Sequence, residues 1–340
     1  MDSLETFPTE LLSIIIVDLT TRDSLKSLSS VSRRFRILCV PFLFHRLRVD
    51  FSIAGFKRLE QISVSDIAQY VKVIQYYAPE LIDPCAESWD YFRSCVYPPA
   101  EYVRDQKDLI WSFRGKQVPY KDIYTYFSHL VHEQRKILQR CVDLRSLCTS
   151  FPRFRGLQSI EVEFADGIKS PFRWFASRLF VDWEESFLLH FEALLDAILA
   201  TKREGTRITS LKISGFYSHL PMTDFYLAEK LTAAVEDIAS LHLIDSPYLL
   251  DAMTTVPFPA LRQLVLGHCW LGESELGGFV TNKADTLQCL ELNNVSVSAE
   301  KVHPSGISLY RCDIQAVAES MLRIRSQGIL RRIIINGIVW

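Results

Sequence analysis

Two histidines and a glutamate stand together in His129-Leu130-Val131-His132-Glu133, within a stretch whose apolar spacing is helical. Imidazoles about a turn apart on one helix face can share a zinc ion. The order argues against it here. Zinc hydrolases place the glutamate between the histidines, as H-E-x-x-H or H-x-x-E-H, whereas Glu133 follows both. A partly exposed helix face accounts for the group. His268 and Cys269 are a second adjacent pair of ligand types, but Cys269 falls at an inward repeat position, which is a packing role. The sequence holds no G-x-S-x-G elbow, no Walker loop and no G-x-G-x-x-G turn. Gly277-Gly278 fits a turn. No catalytic, cofactor-binding or metal-ligating residue is assigned, and no cofactor is expected.

The cysteines, Cys39, Cys85, Cys95, Cys141, Cys148, Cys269, Cys289 and Cys312, form no C-x-x-C and no tight framework. That suits reduced thiols inside a cell. The net charge of -2 comes without a long basic block, which speaks against a nucleic-acid partner held by phosphate contacts. The opening Met1-Asp2-Ser3-Leu4-Glu5 is acidic where a secretory signal is positive. Asp18 interrupts the longest early apolar run, so no membrane span is expected. The expected location is cytoplasmic or nuclear. With 340 residues, 48% hydrophobic and 23% charged, the chain can bury a large core.

The elements begin with short helices. Pro8 and Glu10 suit a first helical turn. Leu11, Leu12, Ile15 and Leu19 follow as one stripe, with Ile14, Ile16 and Val17 filling much of the other side. A helix apolar nearly all round must be covered nearly all round. Asp23 can cap a second helix carrying Leu25 and Leu28. A third series holds Val31, Phe35 and Leu38, and Val40-Pro41 is expected to stop it. Three such helices bury too little among themselves to stand alone.

Leu47 to Phe51 alternates as a half-buried strand does, and Val71 to Tyr76 is similar. Residues 79–120 are expected to be an irregular, proline-punctuated and aromatic-rich connection. Asp122 to Leu147 is helical in pattern. The aromatic group Phe172, Trp174, Phe175, Phe180 and Trp183 fits core packing better than an exposed partner site. Further helices are expected over Glu185–Leu199, Tyr226–Ala239 and Ile314–Ile324. The second half repeats one unit: LRQLVLGHCWL, LQCLELNNVSV and LRRIIINGIVW follow the template L-x-x-L-x-L-x-x-N/C-x-L. LQSIEV, ITSLKI and IASLHL are looser copies. One such unit cannot bury its own face, so several must stack. An ordinary parallel α/β sheet would give a similar alternation.

The ordered anchors Phe7-Pro8-x-Glu10-Leu11-Leu12, Leu19, Asp23-x-Leu25, Leu28, Val31-Ser32-Arg33-Arg34-Phe35 and Pro41-x-Leu43-Phe44 resemble an F-box. The family pattern has Leu where Phe7 stands and often Leu where Ser24 stands, both mild departures. An F-box followed by irregular leucine-rich repeats is similar to F-box proteins of filamentous fungi, as is the helix YFSHLVHEQRKIL. The fold class so implied is α/β: a three-helix F-box over residues 1–47, a mixed connector over 48–150 that is mainly helical at its end, and an irregular leucine-rich-repeat-like solenoid over 151–340. The resemblance implies a non-enzymatic substrate receptor of an SCF (Skp–cullin–F-box) ubiquitin ligase. Its adaptor-binding residues would be Phe7, Pro8, Leu11, Leu12, Ile15, Leu19, Leu25, Leu28, Val31, Ser32 and Phe35. Its partners would be a Skp-type adaptor, through it a cullin–RING ligase, and a protein substrate. An adaptor-bound scaffold and an enzyme with a non-local site remain as alternatives. On the repeat strands the residues between the leucines face outward, which makes Lys212, His242, Glu291, Asn293 and Arg332 the candidate substrate contacts. Their mixed charge fits a folded or mixed-charge partner better than a phosphorylated one, which needs clustered Arg or Lys.

Overall fold

From Arg46 onward the strands of the main sheet lie side by side in the order in which the chain makes them. The computed structural model describes residues 7–19, 21–109, 118–165, 167–168, 172, 179, 183–217, 220–221, 224–298, 331–336 and 338–339. Three helices come first: α1 (Thr9–Asp18), α2 (Arg22–Ser29) and α3 (Arg33–Leu43). Then follow β1 (Arg46–Asp50), α4 (Ile53–Ser63), β2 (Val73–Pro79), α5 (Trp89–Tyr91), α6 (Pro99–Leu109), α7 (Tyr120–Gln139) and α8 (Val142–Ser150). The second half contains β3 (Ser159–Ala165), α9 (Trp183–Arg203), β4 (Ser210–Ser214), α10 (Phe225–Val235), β5 (Ser240–Ile244), α11 (Leu249–Thr254) and β6 (Gln263–Gly267). It continues with β7 (Trp270–Gly272), α12 (Glu273–Asn282), β8 (Cys289–Asn293), β9 (Ser296–Ser298), β10 (Arg332–Ile335) and β11 (Ile338–Val339).

The main sheet has the order β1-β2-β3-β4-β5-β6-β8-β10-β11 and is parallel except where β10 meets β11. A short second sheet pairs β7 with β9. Crossovers between parallel strands are right-handed. With the order never reversing, the crossovers formed by described residues pass over the same face. Burial agrees: β3, β4, β5 and β8 alternate half-buried and buried residues. The buried set is Ile160 and Val162, Leu211 and Ile213, Leu241 and Leu243, Leu264 and Leu266, Leu290 and Leu292, then Ile333 and Ile335. Register lines these up strand by strand into two continuous rows. Each such side chain contributes about 1.5–3 kcal/mol by leaving water. A parallel sheet covered on both faces would lack this alternation.

Several expectations change. The main core runs from Leu47 to Ile335, and β1 and β2 belong to the same sheet as the later strands. The described residues of 79–120 are not mainly irregular. They form short helical turns and α6, and Phe92, Tyr97 and Val96 join Ile123, Phe127 and Val131 of α7 in a second core. The helix expected over Asp122–Leu147 breaks at Cys141, whose φ is 45°, and becomes α7 and α8. Pro41 lies inside α3 and does not end it, although its missing N–H forfeits one i→i−4 hydrogen bond. Gly277 and Gly278 sit within α12, not in a turn. Thr21, not Asp23, caps α2, its hydroxyl accepting the Ser24 N–H at 3.2 Å. The helix expected over Ile314–Ile324 lies outside the described residues.

Candidate functional site

Two surfaces gather the residues singled out above. The first is the N-terminal helical module. Inside it Ile16 of α1 packs with Leu25 of α2 and Cys39 of α3, and Leu12 and Phe35 are buried as well. The Arg34 guanidinium donates to the Phe7 carbonyl at 2.7 Å and to the Thr9 hydroxyl at 3.2 Å, tying the start of α1 to α3. Ser32 caps α3, accepting the Phe35 N–H at 3.3 Å. These contacts correct the expected stripe. The inward face of α1 is Leu12 and Ile16, four residues apart as a helix requires. Leu11, Ile14, Ile15 and Val17 point away and are 50%, 61%, 41% and 62% exposed.

The expected adaptor-binding residues therefore divide. Phe7, Pro8, Leu11, Ile15 and Val31 are exposed, and Leu19 and Leu28 are half-buried around the small core. Leu12, Leu25 and Phe35 are buried by their own chain, and Ser32 is occupied by its helix, so these four shape the module and do not present a contact. Ile37, 63% exposed on α3, belongs with the apolar exterior but was not singled out. Only its position on the outer face of α3 marks it.

The second surface is the face of the main sheet opposite the leucine rows, half-buried along most strands, with Val265 buried. One register row runs Arg48, Gln75, Glu161, Lys212, His242, Val265, Glu291 and Ile334 from β1 to β10. Neighbouring rows place Arg332 beside Cys289 and Asn293 beside Gly267. Strands are about 4.8 Å apart, which separates Lys212 from Glu291, three strands on, by about 14 Å. The face is wired locally. His242 Nε2 donates to Ser240 Oγ at 2.9 Å, and Ser240 donates on to Gln263 at 3.2 Å. Asn293 donates to Glu291 at 2.8 Å. Arg46 reaches Glu161 at 3.0 Å. Burial and then the Lys212 charge lower the His242 pKa, against a raising influence from Glu291 and Glu161. Lys212 and Arg332 carry no ion pair among the described residues.

The remaining candidates serve the fold. On α7, His132 pairs with Glu87 at 2.9 Å and Glu133 accepts the Ile53 N–H at 2.9 Å; His129 is exposed. They face different partners and converge on nothing. Cys269 is buried, its Sγ 3.1 Å from the Gly267 carbonyl and 3.8 Å from that of Leu243, and burial raises its pKa. Ser246 holds the matching place one strand earlier. Its hydroxyl donates to Ile244 O at 2.9 Å and accepts the Phe216 N–H at 3.0 Å. The two side chains stitch successive turns together. Phe172 stacks on Tyr126 with centroids 4.2 Å apart, while Trp174, Phe175 and Phe180 lie outside the described residues.

No helix among the described residues is long and apolar enough to cross a membrane. No group of three or more His, Cys, Asp or Glu able to hold a metal ion occurs among them. No family model matches the chain, and no curated protein matches it significantly.

Proposed function

We propose that the chain is a substrate-recognition subunit of an SCF-type ubiquitin ligase, docking a Skp-type adaptor through α1–α3 and a target protein through the sheet face opposite the leucine rows. The observation that carries the reading is the apolar exterior of α1, where Leu11, Ile14, Ile15 and Val17 remain exposed beside a small core of their own. An apolar surface of that kind costs solubility unless a partner covers it, and the ordered F-box-like anchors name the partner class. The recurrent strand, left-handed turn and buried Ser246 or Cys269 support a leucine-rich-repeat-like reading of the second half. The chain supplies binding and no chemistry, the transfer of ubiquitin belonging to the cullin–RING partner and its E2. Its place of action is the cytoplasm or nucleus.

The test is co-purification with the adaptor. Leu12 is unsuitable because it is buried and its change would unfold the module. Ile14→Asp and Val17→Asp put a charge into the interface, where an unpaired buried charge costs several kcal/mol, and adaptor capture is expected to vanish while the thermal transition persists. Wild-type capture by the double variant would overturn the assignment. Ubiquitylation of a captured target by the reconstituted complex separates the receptor from an adaptor-bound scaffold.

A further inference from the structure

Two connections, one leading from α8 into β3 and one from α9 into β4, enclose a groove of about 970 Å³. Small-molecule clefts span about 300–1,000 Å³. Three guanidiniums line it: Arg153 and Arg155 from the first connection and Arg203 from the end of α9. The backbone beneath each is fixed. Phe151, Phe154 and Leu157 are buried, so every third residue is anchored in the core and Arg153 and Arg155 are left exposed between them. The Phe154 N–H donates to Phe151 O at 3.1 Å and the Leu157 N–H to Phe154 O at 2.9 Å. Before Arg203, Thr201 is buried, its hydroxyl donating to Ala197 O at 2.7 Å. After it, Gly205 turns the chain at φ 84°, its N–H on Lys202 O at 3.0 Å. The two connections are joined where the Thr209 N–H donates to Gln158 O at 2.9 Å.

The arginines are not consumed by the fold. None of the three has an ion pair or a side-chain hydrogen bond among the described residues. The last carbonyls of α9 are taken by backbone N–H groups, Glu204 on Ala200, Gly205 on Lys202 and Thr206 on Thr201. The carboxyl ends of α8 and α9 bring about half a negative charge each, and Glu204 brings one more, which leaves the groove an excess of about one positive charge. The half-buried Cys148 in the same lining stays a neutral thiol, since burial raises its pKa to about 11. Guanidinium forks match phosphate oxygens at two points each. Glu204 would repel a ligand that is anionic throughout, but a carboxylate accepts from hydroxyls, and the Thr149 and Thr206 hydroxyls stand in the same lining. No described lining residue is aromatic, so the groove offers a nucleobase no stacking platform.

We infer that this groove is a binding site for a small polyhydroxylated phosphate monoester, a sugar or polyol phosphate, with Arg153, Arg155 and Arg203 on the phosphate and Glu204 on the hydroxyls. It stands independently of the adaptor and sheet-face readings, with which it shares no residue.

The experiment is calorimetric titration of the purified full-length chain with glucose 6-phosphate, set against glucose, inorganic phosphate and a phosphoserine octapeptide. Glucose 6-phosphate is expected to bind saturably, more weakly as salt rises, and about tenfold or more tightly than inorganic phosphate or the peptide, while glucose does not bind. Arg155→Gln and Arg203→Gln should each weaken binding about tenfold. Arg104→Gln, the same charge change on α6, should leave it unaltered. Absence of glucose 6-phosphate binding would overturn the inference. So would inorganic phosphate or the phosphopeptide binding as tightly, undiminished binding by a natively melting Arg155→Gln/Arg203→Gln protein, or equal weakening by Arg104→Gln.

Discussion

His190 is the residue whose surroundings leave least freedom. It is 1% exposed on α9, with Nε2 2.9 Å from the Pro79 carbonyl and Nδ1 3.0 Å from the Tyr76 hydroxyl. A carbonyl only accepts, so Nε2 carries the proton and Nδ1 accepts from Tyr76. Burial lowers its pKa to about 4. The sign follows directly: above pH 6.5 the imidazole is neutral both folded and unfolded, and it contributes no pH dependence. Below that, the unfolded chain takes up a proton that the folded chain refuses, so stability falls until about pH 4 and then levels off. The loss amounts to about 3 kcal/mol over that window. Denaturant unfolding of wild type against His190→Gln, measured from pH 7 to pH 4, isolates it, since other titrations are common to both. Parallel curves for the two proteins would refute this account.

At the scale of elements, glycine separates helix from turn. A Cβ at Gly277 or Gly278 in α12 would meet nothing within 4 Å. Alanine there should raise stability by about 0.5–1 kcal/mol each, by reducing the freedom of the unfolded chain. Gly215 is the opposite case. Its φ is 74° and a Cβ would fall 2.3 Å from the Phe164 carbonyl oxygen, so Gly215→Ala should cost about 1–3 kcal/mol. Thermal melts of the three single variants give the comparison, and a stabilising Gly215→Ala would contradict the turn geometry. Among the helices, α1 has its outer face unused by the chain itself. Its charge-introducing variants should leave unfolding within about 0.5 kcal/mol of wild type while abolishing adaptor capture.

The whole molecule divides its faces. Helices pack on one side of the sheet and the row from Arg48 to Ile334 lies on the other. Reversing Lys212 and Arg332 together to Glu should reduce capture of a target sharply, while the melting temperature moves by no more than about 2 °C. Pull-down from cells treated with a proteasome inhibitor, followed by mass spectrometry, measures it. Co-expression with the adaptor should also raise the yield of folded chain, since a ligand bound only by the native state stabilises it by mass action.

The amino-acid pattern alone determined the inward residues of the later strands: Leu211 and Ile213, Leu241 and Leu243, Leu264 and Leu266, Leu290 and Leu292 were legible because a strand alternates with a period of two, and that period is local. Cys269 as a packing residue followed from the same repeat. The faces of α1 were not legible. A helix apolar nearly all round carries no directional signal, so only the packing of α2 and α3 could decide that Leu12 and Ile16 turn inward while Leu11 and Ile15 do not. Gly277 and Gly278 hid α12, because glycine favours turns locally and is overridden when a helix has a sheet to cover. The union of β1 and β2 with the later strands and the row from Lys212 to Glu291 were decided by the tertiary structure. Each depends on which strands become neighbours, and that is set by long-range hydrogen bonding and crossover handedness between residues far apart in the chain.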